Sequence, residues 1–336
     1  MTLEDVSKLA GCSTATVSRV INGSSKVSPK TKKTVERAIR ELNYQPSFAA
    51  RMLRREATDT IGVIFPDLDF GFYTEVLKAI NKRAAHNGYD LMVAFGYDPE
   101  GEMRLVRKYV QQKRVDSLII MNLDLPARFI RSLNESKVPL VLLDRPEYGM
   151  NAISVCIDNE YGARQAMEHL IKTHGYKRIA IATGPADTYD SQVRLQACKQ
   201  IAQELDLPKR NIFIWDGDFT EDSGYRLMRS QIESGNRLPD AIFALNDPMA
   251  IGILDGLRGA DLRVPDDIAV IGFDDVSLAK HLNLSSVAVP FDKLGSLAVD
   301  AAVNAINEAD GHTQKEYLVK TELIIRQTCG GVKELV

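Results

Sequence analysis

The chain has 336 residues, 45% hydrophobic and 26% charged, a balance that suits two or three ordinary globular domains and excludes disordered or fibrous classes. No apolar run approaches the roughly 20 residues of a membrane span, the start "MTLEDVSKLAG" lacks the regions of a secretory signal, and Cys12, Cys156, Cys198 and Cys329 show no CxxC spacing. A cytoplasmic protein with reduced thiols, without a membrane partner, zinc site or disulfide framework, is expected. The net charge of -3 hides an asymmetry, because residues 1–58 carry 11 Lys and Arg against 5 Asp and Glu, whereas the remainder carries 31 against 40.

In chain order, the first element is a short helix. Thr2 and Asp5 form a capping-box pattern, Val6, Leu9 and Ala10 follow at helical spacing, and Gly11 is placed to stop it. Ser13 caps a second helix running to about Asn22, which Gly23 ends. A third starts at Ser28-Pro29 and carries Val35, Ile39 and Leu42 on one face up to Asn43. Two short helices with a Gly-containing turn and a third behind them form a helix-turn-helix unit, whose second helix enters the DNA major groove.

The second helix, "STATVSRVING", places Val17, Val20 and Ile21 on one face and small polar groups on the other. Thr14, Ala15, Thr16 and Ser18 are short enough to let the backbone approach a duplex, and Arg19 can reach a guanine edge or clamp a phosphate. The alternative is a small bundle whose polar face meets only water.

The whole stretch "TLEDVSKLAGCSTATVSRVINGSSKVSPKTKKTVERAIRELNYQPSFAARMLR" resembles the headpiece of the LacI/GalR family of bacterial transcriptional regulators. The resemblance implies that Thr14, Ala15 and Arg19 face bases and that Ser13, Thr16, Ser18 and Asn22 contact phosphates or neighbouring bases. Residues 47–55, "SFAARMLRR", follow the helix-breaking Pro46 and have too few turns to be a stable helix alone. The family's matching segment is a hinge helix that forms on operator DNA, which implies that Leu53 wedges into a minor-groove step, with Arg54 beside it. A packing role for Leu53 is the alternative.

From residue 60 onward, "IGVIF", "LMVAF", "SLIIM", "PLVLL" and "ISVCI" alternate with helical patterns, and "RIAIATG", "IFIWDGD", "AIFALND" and "IAVIGFDD" repeat the scheme. Continuous apolar strands alternating with helices predict two doubly wound parallel-sheet α/β lobes. A ligand cleft is expected beyond the strand C-terminal ends. There stand Asp67 and Asp69, Asn246 and Asp247, and Asp274 and Asp275, groups suited to a polyol or sugar, although each alone also reads as a helix cap.

The same family resemblance runs from about Thr60 to Cys329 and implies a core like that of periplasmic sugar-binding proteins. Asp158, Arg194, Phe219, Asn246 and Asp274 would line the effector cleft, with Phe72 or Tyr73 as an aromatic wall. Arg194 offers a fixed fork of donors to vicinal hydroxyls, a carboxylate or a phosphate. Asp69 and Gly71 replace residues common in the family, and Val289 stands where glutamine is frequent, so one wall should be more apolar and another more acidic.

The expected organisation is a headpiece over 1–46, hinge and linker over 47–59, a core over 60–330 and a tail over 331–336. Lobe one takes about 60–158 and 288–317, and lobe two about 159–287 and 318–330. Neither a dinucleotide, P-loop, nucleophile-elbow nor HExxH motif occurs, no cofactor is implied, and the five histidines show no ligand spacing. The expected function is a ligand-responsive regulator, most simply a repressor, that binds a pseudo-palindromic operator as a homodimer in the nucleoid. Its effector would be sugar-like, with a sugar phosphate or a purine or nucleoside co-repressor as alternatives. "CGGVKELV" is too short for a tetramerising heptad tail. The competing reading is a cytoplasmic sugar-binding or sugar-modifying protein whose N-terminal bundle only mediates oligomerisation.

Overall fold

A computed structural model of the chain describes residues 1–21, 24, 26–44, 57–66, 71–121, 125–133, 136, 138–146, 152–307 and 316–330. The chain divides into two compact units, Met1–Thr58 and Asp59–Val336.

In the first unit, α1 (Leu3–Ala10) begins with the reciprocal Thr2/Asp5 capping box and ends at Gly11, whose φ of 61° is left-handed. α2 (Thr14–Ile21) is capped by Ser13, whose hydroxyl accepts from the Thr16 N–H at 3.2 Å. α3 (Pro29–Glu41) is capped by Ser28 with Pro29 in its first turn. It closes two residues before Asn43 because Asn43 turns left-handed at φ 44°. The N–H groups of Asn43 and Tyr44 then return to the carbonyls of Arg40 and Ile39, the Schellman pattern that satisfies the last turn. Val6, Val17, Val20, Val35 and Ala38 form the small core that joins the three helices.

The second unit begins with β1 (Thr60–Phe65), α4 (Gly71–His86), β2 (Asp90–Phe95), α5 (Pro99–Gln111), β3 (Ser117–Met121), α6 (Ala127–Ser132), β4 (Leu140–Leu143) and β5 (Ile153–Ile157). The chain then enters the second lobe through α7 (Asn159–Glu168), which continues as a π turn over His169–Thr173. β6 (Ile179–Thr183), α8 (Tyr189–Glu204), β7 (Ile212–Asp216), α9 (Glu221–Glu233), β8 (Ala241–Ala244), α10 (Asp247–Arg258), β9 (Ala269–Asp274), α11 (Ser277–His281) and β10 (Ser285–Ala288) follow. α12 (Phe291–Asn307) and β11 (Glu316–Val319) return to lobe one, and β12 (Glu322–Ile324) ends in lobe two.

Among the described residues, each lobe holds one six-stranded sheet, ordered β11-β5-β4-β3-β1-β2 and β12-β10-β9-β8-β6-β7. Pairing is parallel throughout except for β12, which runs antiparallel to β10. Alternate residues serve opposite faces: Val63 and Phe65 join a cluster shared by both lobes, while Ile64 joins one on the other side of its sheet. The lobe boundaries fall slightly later than expected, because Ala288 still pairs with Asp274 and Val319 with Ile157. In both sheets the strand order reverses, between β1 and β3 and between β6 and β8, which opens a crevice at the C-terminal ends of the strands.

Candidate DNA-reading helix and effector cleft

On α2, the side turned from the small core carries Ser13, Thr14, Ala15 and Arg19, all exposed, with Thr16 half-buried. Thr16 also spends its hydroxyl on Ser13 at 3.0 Å, so these two side chains are held together at the helix start. Ser18 departs from expectation. It is only 7% exposed and does not stand on the outward surface. Asn22, Leu53 and Arg54 lie outside the described residues.

Within the second unit, a cleft of about 470 Å³, measured to its open mouth, is lined by Phe72, Tyr73, Met121, Asp144, Asp190, Arg194, Phe219, Asn246, Pro248 and Asp274. Each element brings its residue by its end: Phe72 and Tyr73 open α4, Met121 ends β3, Asp144 follows β4, and Asp274 ends β9. Phe72, Tyr73, Arg194, Phe219, Asn246 and Asp274 thus stand together. Asp69 lies outside the described residues.

Arg194 is the centre of this arrangement, only 2% exposed. Its Nε donates to Asn159 Oδ1 at 2.8 Å, its Nη1 donates to the Leu245 carbonyl at 2.6 Å, and its guanidinium lies 3.7 Å from the Phe273 ring centroid. Carboxylates of Asp274 and Asp190 each stand 3.9 Å from it. Asn159 passes the link on by donating to Asp144 Oδ1 at 3.2 Å, and the same oxygen accepts from the Ile157 N–H. Three acidic groups therefore share one buried cation. Burial pushes the Asp144 carboxyl up to about 6, with Asp190 adding to the rise and Arg194 opposing it. Burial likewise raises Asp274 well above its ordinary range, again against the pull of Arg194.

Asn246 lines the cleft, but both ends of its amide are engaged. Its Oδ1 accepts from the Met249 N–H at 3.0 Å, capping α10, and its Nδ2 donates to the Phe219 carbonyl at 2.7 Å. It fixes the loop that presents Phe219, which adopts φ 70°. The Phe219 ring lies directly over Gly184, where any Cβ would collide with it. On the opposite wall, Phe72 meets Phe291 edge-on at 5.3 Å.

Asp158 is not among the described residues that line the cleft. Its side chain caps α7 by accepting from the Tyr161 N–H at 3.1 Å, and its carbonyl accepts from Thr321 Oγ1, so it ties two interlobe crossings together. A carboxylate just before a helix is captured by its first turn. Asp247 is likewise withdrawn and fully buried, its oxygens accepting from Ser286 Oγ at 2.6 Å and the Val276 N–H at 2.9 Å. Asp275 pairs with Arg326 at 2.6 Å. Val289 packs in the shared core and is not among the described residues that line the cleft.

Sequence reasoning missed Asp144, Asp190 and Asn159. Asp144 directly follows "PLVLL", where the strand-end rule that selected Asp274 applies equally, and Asp190 sits four residues before Arg194 on one helix.

A helix-turn-helix unit and a two-lobed core with a polar cleft at its strand ends define a DNA-binding protein with a small-molecule site. Residues 2–47 match the model of the bacterial regulatory proteins, lacI family, and residues 167–329 match that of the periplasmic binding protein-like domain. The chain is 35% identical to the ribose operon repressor of Escherichia coli (strain K12) over 311 residues, covering 91% of this chain and 93% of that protein. Among solved structures, it resembles the lac repressor dimer bound to operator and the anti-inducer ONPF, with a TM-score of 0.87, 29% identity and 98% of both chains covered. The complex of the transcriptional regulator CelR with cellobiose gives a TM-score of 0.72 at 31% identity, covering 98% of this chain and 99% of that one. The chain belongs to the lacI family of bacterial regulatory proteins.

Proposed function

We propose that the chain is a transcriptional repressor that binds a pseudo-palindromic operator as a homodimer and is switched by a neutral, sugar-like metabolite in the interlobe cleft. The relatives support the DNA-binding half, since one is a ribose operon repressor and another is seen as a dimer on operator. On this reading Ser13, Thr14, Ala15, Thr16 and Arg19 meet the duplex, with Arg19 as the group able to make a bidentate contact to guanine.

The observation that carries the effector class is Arg194, the one cation among the described residues that line the cleft, set among Asp144, Asp190 and Asp274 between aromatic walls. An anionic phosphate entering there would meet three carboxyl groups for one cation. A hydroxyl meets what it needs, because it both donates and accepts, and Asp144 titrates near 6 and so offers either role. The 3.9 Å gaps between Arg194 and its carboxylates let one ligand oxygen sit about 2.9 Å from both partners. Phe219 and Phe72 would cover the apolar faces of a ring.

Differential scanning fluorimetry of the full chain against neutral pentoses and hexoses, their phosphates, and purines tests this reading. A melting temperature raised by a neutral sugar and not by its phosphate is the expected result. Stabilisation by the phosphate or a purine alone would overturn the effector class while leaving the DNA-binding half standing.

A further inference from the structure

Three metal-ligating side chains converge in lobe two, and none of them lines the cleft. His174 Nε2 stands 3.0 Å from His169 Nε2, His169 Nε2 stands 3.3 Å from Cys329 Sγ, and all three ligand atoms lie within 4.8 Å of one another. Spacing alone does not show them, because residues five apart on a regular α-helix point about 140° away from each other. The π turn over His169–Thr173 removes that separation: the His174 N–H closes back on the His169 carbonyl, and the two rings meet edge-on at 4.6 Å. Cys329 arrives from 155 residues beyond His174, on the segment that follows β12.

The third ligand is held in place by its neighbour. Thr328 exchanges hydrogen bonds with Val270, its carbonyl accepting from the Val270 N–H and its hydroxyl donating to the Val270 carbonyl, both at 2.7 Å. The same hydroxyl accepts from the Ser285 N–H at 2.9 Å. On the other side, the Tyr176 ring stacks on His174 at 5.4 Å, and Gly330 lies so close to that imidazole that a Cβ there would crowd it. Cys329 and His169 are buried, while His174 is half-buried and offers a path from solvent.

We propose that His169, His174 and Cys329 form a Zn²⁺ site of two imidazoles and one thiolate, with a fourth position left to solvent. With Zn–N near 2.0–2.1 Å and Zn–S near 2.3 Å, tetrahedral ligands stand about 3.3 Å apart for two nitrogens and about 3.6 Å for nitrogen and sulfur. Two of the three edges, at 3.0 and 3.3 Å, fall within a few tenths of an ångström of those values, and the third pair, His174 and Cys329, lies within 4.8 Å. A hydrogen-bonded cluster is the competing account, yet the single Nε2 of His169 faces both neighbours and can aim one proton at only one of them. One cation can be ligated by all three atoms together. On binding, the Cys329 thiol gives its proton to solvent and the thiolate becomes the ligand. The ion would pin the segment after β12 to the end of α7.

The test is a Co²⁺ titration of the reduced, tag-free full chain, followed by displacement with Zn²⁺. The expected result is one Co²⁺ per chain, with a thiolate-to-cobalt charge-transfer band, strong visible bands of four-coordination, and loss of both on adding Zn²⁺. Cys329→Ser should remove the charge-transfer band. His174→Gln, at a half-exposed position, should weaken Co²⁺ binding at least tenfold while the metal-free chain melts as before. Absence of the charge-transfer band in the parent chain, or Co²⁺ binding unchanged in the His174 variant, would leave a hydrogen-bonded network only and overturn the site.

Discussion

The outward face of α2 and the floor of the cleft are both polar, yet they are built in opposite ways. On α2, Thr14, Ala15 and Arg19 project into solvent, and the apolar residues beneath them do the folding. In the cleft, Arg194 is almost wholly buried and already holds Asn159, the Leu245 carbonyl and the Phe273 ring. A surface that reads a polyanion can be altered without disturbing the fold. A site that encloses a small ligand is part of the core, and its polar groups carry structural and binding duties together.

That contrast is sharpest at its two arginines. Arg194→Ala would strand Asp144, Asp190 and Asp274 around a vacated charge, and losing one partner of a buried ionic group costs about 3–5 kcal/mol. We expect a large fall in the denaturation midpoint. A variant as stable as the parent would show that the cleft is not part of the core in this sense. Arg19→Ala, by contrast, should leave the melting temperature unchanged and weaken binding to the preferred duplex at least tenfold, a bidentate base contact being worth about 1–3 kcal/mol. Undiminished duplex affinity in that variant would remove α2 from its assigned role.

Asp144 refines the comparison through pH. Its folded value, about 6, lies above the ordinary 3.8, so folding disfavours the ionised form. The destabilisation is therefore absent below about pH 4, grows as pH rises through about 6, and is constant above. Asp144→Asn keeps an oxygen for the Ile157 N–H and should raise stability at pH 7.5 by about 1–3 kcal/mol, with little change at pH 4. Equal melting shifts at both pH values would contradict the burial argument.

The smallest expected effect belongs to Gly184→Ala. The new methyl must displace the Phe219 ring, a strain of about 1–2 kcal/mol. Isothermal titration should show sugar affinity reduced about tenfold, while duplex binding without sugar stays at parental strength. An unchanged sugar affinity would take Phe219 out of the ligand's wall.

The two regions also differ in how far they can be read from residues alone. The headpiece helices follow from local signals, Thr2 with Asp5, Gly11, Ser13, and Ser28 with Pro29, each of which acts within one turn. The strands likewise follow from their apolar runs. The cleft depends on distant partners: Asn159 reaches Arg194 from 35 positions away and links it to Asp144, 50 positions away, so only the fold reveals the network. Local capping explains the misplacement of Asp158, since a carboxylate preceding a helix satisfies that helix first. Ser18 shows a similar limit, because a polar residue at the edge of a short amphipathic helix falls on either side of the boundary. The histidine cluster is hidden for another reason: a π turn changes the period on which spacing rules rest.

The most direct test is selection of the full chain on a random duplex pool, followed by fluorescence anisotropy on the enriched duplex at two salt concentrations, with and without the neutral sugar that stabilises the chain. The account predicts an enriched pseudo-palindrome, affinity that falls steeply with salt as counterions are released, and a shift in that affinity when sugar is added. Failure to enrich any sequence, or an affinity that the stabilising sugar leaves unchanged, would contradict it.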